Sequence, residues 1–175
     1  MYILALVTLW YLYLSVRKTD NEFVPNDLEL LQVSINLFIT EILYYFVDAY
    51  VYIYTDFNTF NLVMFFITQD IYFYTVHYLM HNYLYIFHNK HHTKYGPFYA
   101  WHTTIIDHVF LNLLSFGIPF YLFSNSSNVF IFLILLQLYT SIDGHTEKSK
   151  HSIHHKYTSR RLGSIYIIDK MLGTY

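Results

Sequence analysis

The sequence predicts an all-α fold, with membrane-embedded helical hairpins capped on one face by a histidine-rich helical cluster. Three observations predict it. Of the 175 residues, 55% are hydrophobic, 22% aromatic and only 13% charged, about half the charge of an ordinary soluble domain. The first 95 residues contain no glycine and one proline, Pro25, so little there interrupts long helices. All 11 histidines fall between His77 and His155. A chain of this length forms one compact unit with too little interior to hide so much apolar surface, and its composition excludes intrinsic disorder. The absence of cysteine excludes disulfides, thiolate metal sites and a cysteine nucleophile together. The formal net charge of −2 argues against nucleic acid as a partner.

Taken in order, Met1–Val16 is an apolar run with no basic n-region and no small-residue cleavage site, so it reads as an uncleaved first span. Arg17–Glu29, containing Pro25, reads as a charged linker. Leu30–Thr55 reaches the roughly 20 residues that a membrane helix needs. Glu41 and Asp48 lie on one face of that helix and are expensive in lipid, so the face is expected to meet protein or water. A third apolar run covers Thr59–Thr75, and the polar stretch His77–His102 follows. Ile105–Phe123 and Val129–Ile142 are apolar runs joined by Ser124-Asn125-Ser126-Ser127-Asn128, a turn-like loop. From Asp143 the chain is polar and basic. Residues 1–69 are thus read as N-terminal membrane helices, and residues 70–175 as the region that carries the chemistry.

The short loop after Phe123 makes the last two apolar runs a hairpin that enters and leaves the membrane on one face. Histidines before it, through His108, and after it, from His145, then share a side. Eight of the ten basic residues, from Lys90 to Lys170, lie on that side. Three earlier crossings would add Arg17 and Lys18, and the positive-inside rule then makes the histidine face cytosolic.

Three histidine groups stand out. His77 and His81 form HxxxH, His88–His92 forms HxxHH, and His151–His155 forms HxxHH again. Residues three and four apart share a helical face, so each group is expected to present its imidazoles to a common point. One HxxxH on an apolar helix is more often core histidine; three groups on one membrane face are not explained that way. Neutral imidazole is the commonest protein metal ligand. Eight clustered imidazoles exceed the four that tetrahedral zinc takes, so a two-metal centre suits the count. Ligand type alone does not choose among zinc, copper, iron and nickel. Asp70, Asp107 and Asp143 are candidates for carboxylates that orient imidazoles.

As an ordered set, these motifs resemble the fatty acid hydroxylase/sterol desaturase superfamily of integral membrane di-iron oxidases. Asp70, Tyr74, His77 and His81 look like its D-x-x-x-Y-x-x-H-x-x-x-H motif, and His88–His92 like its central HxxHH. Ile142-Asp143-Gly144-His145 resembles its segment carrying another histidine after the second hairpin. His151–His155 resembles its last HxxHH, and Asp169-Lys170-Met171-Leu172-Gly173-Thr174 its terminal D-x-x-[FL]-G-T. Two positions depart from the pattern. Arg161-Leu162-Gly163 stands where the superfamily carries N-Y-G, and Thr104 stands where its H-P-x-[DE] motif has histidine, although Asp107 keeps the acidic position.

The resemblance implies a scaffold of membrane hairpins, probed by lipid from the bilayer, with a cytosolic cap holding two iron ions. It implies His77, His81, His88, His91, His92, His145, His151, His154 and His155 as ligands, with His102 a further candidate and His108 structural. The implied reaction is hydroxylation or desaturation of a fatty acyl chain or sterol, using O2 and two electrons from NAD(P)H through cytochrome b5 or a similar carrier. The implied location is the endoplasmic reticulum. Two other readings stay open: a membrane zinc-binding protein without redox activity, and a scaffold that has lost catalysis while keeping the fold.

Overall fold

The computed structural model describes Leu9, Tyr11, Tyr13 and residues 25–50, 58–123, 127–146 and 149–175. For residues 43, 44, 46–50 and 127–131 it describes the backbone alone. The expected first span, Met1–Val16, therefore lies outside the described residues except at three positions, and the end of the second apolar run, residues 51–55, lies outside them too. All regular structure among the described residues is helical.

Helix α1 spans Asp27–Tyr50. Its first turn is a capping box: the Asn26 Oδ1 accepts the Glu29 N–H at 3.0 Å, and Glu29 Oε2 accepts the Asn26 N–H at 3.1 Å. Those reciprocal bonds draw the end of the expected linker into the helix, which begins at Asp27 and not at Leu30. The faces of α1 are inverted relative to a soluble helix. Glu29, Val33, Asn36, Leu37 and Thr40 are buried, whereas Leu31, Phe38, Ile42 and Tyr45 are exposed. Glu41 is half-buried, and the Asp48 side chain lies outside the described residues.

Helix α2 covers Thr59–Asn82, and the Asn58 side chain caps its start by accepting the Phe60 and Asn61 N–H groups. It runs unbroken from the third apolar run into the first histidine pair. A short helix, α3 (Tyr85–His92), and a 3-10 turn at Pro97–Trp101 follow. Helix α4 (Ile105–Leu122) is long and apolar enough to cross a membrane. Its segment His108–Leu113 is wound as a π-helix, a form often found beside functional sites. Helix α5 (Ser127–Gly144) contains the shorter apolar stretch Phe132–Gly144. Two short helices, α6 (His151–Lys156) and α7 (Ile167–Leu172), close the chain.

The second half of α4, Leu114–Leu122, packs along α2, and α5 packs on the 3-10 turn. The apolar core joins Val33 and Leu37 of α1, Phe65 of α2, Phe116 and Phe120 of α4, and Leu133 and Leu138 of α5. Tyr11 stacks on Trp101 with ring centroids 4.9 Å apart, and its hydroxyl donates to the Phe98 carbonyl. Polar groups on the inner face of α1 hold the 3-10 turn in place. The Asn36 amide donates to the carbonyls of Trp101 at 2.8 Å and Thr103 at 3.0 Å. Together these contacts place the histidines of α2, α3 and α6, and His145 just past the end of α5, around one space.

Candidate metal centre

Nine histidines meet in two groups, and within each the ligand nitrogens all lie within 4.8 Å of one another. The first group is His77, His81, His88, His92 and His154; the second is His91, His145, His151 and His155. The HxxxH pair stays together, but each HxxHH motif is divided between the groups. His88 and His92 join the first while His91 joins the second; His151 and His155 join the second while His154 joins the first. This corrects the expectation of one common point per motif. Helical geometry supplies the reason: a residue turns by about 100°, so positions i and i+4 nearly superimpose while i+3 and i+4 diverge. Two short helices can therefore each serve two sites.

The backbone and one carboxylate set the ring orientations. His77 Nδ1 lies 2.8 Å from the Leu162 carbonyl, His154 Nδ1 3.0 Å from the Arg160 carbonyl, and His145 Nδ1 2.7 Å from the Ser141 carbonyl. His88 Nδ1 lies 3.0 Å from both carboxylate oxygens of Asp107. Each of these oxygens only accepts, so each Nδ1 carries the proton and the neutral ring turns a bare Nε2 lone pair inward.

The inward nitrogens crowd one another. His77 Nε2 is 3.0 Å from His88 Nε2, which is 3.0 Å from His92 Nε2. His154 Nε2 is 3.1 Å from that of His81 and 3.2 Å from that of His92. In the second group, His145 Nε2 is 3.2 Å from His91 Nε2 and 3.3 Å from His155 Nε2. Two bare lone pairs, such as those of His77 and His88, cannot hydrogen-bond each other, so the arrangement is repulsive until a cation lies among them. A metal about 2.1 Å from each nitrogen would space neighbouring ligands by about 3.0 Å in an octahedron and about 3.4 Å in a tetrahedron. The observed spacings match that range, so the donor set fits metal ions.

Burial keeps the imidazoles neutral. Desolvation, helped by the neighbouring His88, lowers His81 to about 3, and His92 falls to about 3 for the same reasons. Desolvation lowers His145 to about 4 against the opposing Ser141 carbonyl. His91, His151 and His154 are pushed well below the ordinary histidine value, first by burial and then by their histidine neighbours. At neutral pH these rings offer lone pairs, as metal binding requires.

His102 joins neither group; its ring packs on Tyr99 and its Nδ1 is buried without a hydrogen-bond partner. His108 lies 2.8 Å from the Thr40 hydroxyl, with Asn112 on its other ring nitrogen at 3.3 Å. Of the three candidate carboxylates, Asp107 touches an imidazole, and the Thr103 hydroxyl donates to its other side. Asp70 acts one step further away. It accepts the backbone N–H groups of Ile165, Tyr166 and Ile168, fixing the loop that carries Leu162. Next to Asp143, His145 takes its Nδ1 partner from the Ser141 carbonyl.

Sequence reasoning missed the carbonyls of Ser141, Arg160 and Leu162, because a backbone oxygen leaves no mark in residue identity. It also missed Asp169, which accepts the N–H groups of Leu162 and Gly163 at 2.9 and 2.7 Å. Its place in the terminal D-x-x-[FL]-G-T motif was the available signal.

The family model for fatty acid hydroxylases matches residues 62–174, well over half the chain. The chain belongs to the fatty acid hydroxylase family. That family is one of membrane-associated, metal-dependent oxidoreductases, and the matched span contains all nine clustered histidines. No curated protein and no solved structure matches the chain. Membership gives the two departures a physical reading. Thr104 caps α4, accepting the Asp107 N–H at 3.2 Å while its hydroxyl donates to the Phe87 carbonyl at 2.7 Å. It thereby ties the carboxylate that holds His88 to α3. In Arg161-Leu162-Gly163 the backbone makes the contacts to His77 and Asp169, so only the glycine is demanded by space.

Proposed function

We propose that this chain is a membrane-bound di-iron oxidase of lipids, hydroxylating or desaturating a fatty acyl chain or sterol. The observation that carries the reading is the convergence of nine imidazole ligand nitrogens into groups of five and four, with bare lone pairs facing inward at metal-ligand spacing. The two histidine groups would hold two iron ions, and these would supply O2 activation with two electrons from NAD(P)H through cytochrome b5 or a similar carrier.

The chain's own residues supply position and dryness. Asp107 and the carbonyls of Ser141, Arg160 and Leu162 lock the rings and raise the basicity of the nitrogens they leave free. His77, His88 and His154 are fully buried, which keeps bulk water from the reacting groups. An apolar exterior supports the membrane reading. Leu31, Phe38, Ile42 and Tyr45 on α1, Phe110, Tyr121 and Leu122 on α4, and Phe132 and Leu135 on α5 are all exposed. Such a surface suits lipid and is unfavourable in water. We place the histidine side in the cytosol because the basic residues fall on that side of the expected hairpin, and we assign the endoplasmic reticulum from the family resemblance alone.

Lipid profiling of cells producing the chain tests the reading. The expected result is a new hydroxylated or desaturated lipid that disappears with His154→Ala, while the variant stays in the membrane fraction. Unchanged product from His154→Ala would contradict it. Purified protein holding zinc, with no oxidised lipid, would favour the non-redox alternative.

A further inference from the structure

Two neighbouring cavities lie near the second histidine group, and their linings differ in chemistry. The inner one has His77, His91, His145 and His151 on its wall, with the Asp107 carboxylate and neutral polar groups from Asn112, Ser141 and Tyr166. The outer one is lined by Phe65, Phe66, Phe116, Leu133, Leu136 and Ile165. Both share Gln137, Thr140 and Ser164, so these three residues stand at the boundary, called the neck below, between an apolar chamber and the cavity on which the metal centre opens. At the neck, the amide of buried Gln69 donates to the Gln137 carbonyl oxygen at 2.9 Å.

An amide pair between two apolar helices is costly to place there unless it is used. One bond engages one donor and one acceptor, and each amide has two donors and two lone pairs. The pair therefore keeps hydrogen-bonding capacity for a third partner. Neither lining contains lysine or arginine, and the inner cavity's carboxylate, Asp107, is engaged by His88 and Thr103. The residues of the neck itself are neutral, so it offers hydrogen bonds without a fixed side-chain charge.

Resting on the lipid-oxidase reading above, we propose that Gln69 and Gln137 select substrates by a neutral hydrogen-bonding group. The substrate class is a lipid carrying a hydroxyl, carbonyl or amide, which sits at the neck with its hydrocarbon in the aromatic outer chamber. The C–H bond presented to the histidine groups then lies within a few bonds of that polar group. A plain alkyl chain at the neck leaves the amide capacity unmet, and a site built to hydrogen-bond rejects an analogue that cannot.

The test uses the full chain in detergent micelles and tritiated hexadecanamide as probe, with unlabelled hexadecan-1-ol and hexadecane as competitors. The expected result is displacement by hexadecan-1-ol at least tenfold better than by hexadecane. Gln137→Leu should weaken hexadecanamide binding about tenfold, the worth of one well-made hydrogen bond, while keeping the wild-type metal content. Equal displacement by the two competitors, or no hexadecanamide binding, would overturn the proposal. So would unchanged affinity in Gln137→Leu. Should that variant lose its fold, the wild-type competition decides alone. Metal analysis of the same wild-type sample separates the two readings: absent metal counts against the oxidase, whereas bound metal without lipid selectivity counts against the neck.

Discussion

The Asp70 carboxylate accepts the Ile165 N–H at 2.8 Å, joining the second helix to a loop 95 residues later. That bond belongs to a clamp of two buried acids. Asp70 holds the loop from one side and Asp169 from the other. Between them the Leu162 carbonyl is set against His77 Nδ1. The aspartates thus shape the centre through the backbone without reaching it.

Gly163 is where the clamp is tightest. A Cβ there would lie 2.7 Å from Asp70 Oδ1 and 2.8 Å from Asp169 Oδ2. Gly163→Ala is expected to cost about 1–3 kcal/mol, the usual range for overpacking, and to displace the Leu162 carbonyl. A thermal melt together with metal content checks this; a variant melting and loading like wild type would contradict the clamp.

Arg161 has φ of 57°, a left-handed conformation that asparagine tolerates better than most residues. Such a conformation suits the asparagine of the N-Y-G pattern from which this loop departs. Arginine at this site gains a partner, its guanidinium lying 4.6 Å from the centroid of the Tyr175 ring. Arg161→Asn and Arg161→Ala both lose that contact, so the difference between them isolates the backbone. Asn is expected to be the more stable by roughly 0.5–1 kcal/mol, read from paired denaturation curves.

Asp107 holds a clustered imidazole, that of His88. Asp107→Asn keeps the shape but loses the charge that secures the Nδ1 proton of His88. Metal affinity of the first group should fall about 10–100-fold, as for other orienting residues. Competition with a chelator of known affinity measures the shift, and an unchanged affinity would remove Asp107 from this role.

His102 and His92 offer a contrast. Only His92 belongs to a group. His92→Ala should lower metal content, whereas His102→Ala should leave it at the wild-type level. The reverse pattern would require the groups to be redrawn.

Much of the site was legible because ligand chemistry is local. Spacing on a helix places His77 with His81 and His88 with His92, and a short hairpin returns His145 to the same side. The division of each HxxHH between two groups was less legible, because it depends on how α3 and α6 are turned against each other. The carbonyls of Leu162 and Arg160 were illegible, since any residue supplies one. In the fold, apolar runs marked the helices, yet the start of α1 was set by the Asn26–Glu29 capping box, which composition had assigned to the linker. Gln69 and Gln137 lie 68 residues apart, and nothing in either helix alone predicts that they meet.

The central claim is that nine histidines hold two metal ions. The most direct measurement is the metal-to-protein ratio of the purified full chain by mass spectrometry, compared with His81→Ala for the first group and His151→Ala for the second. The expected result is about two metal atoms per chain in wild type, iron when iron is supplied, with each variant lowering the ratio. A ratio of one or below in fully folded wild-type protein would contradict it.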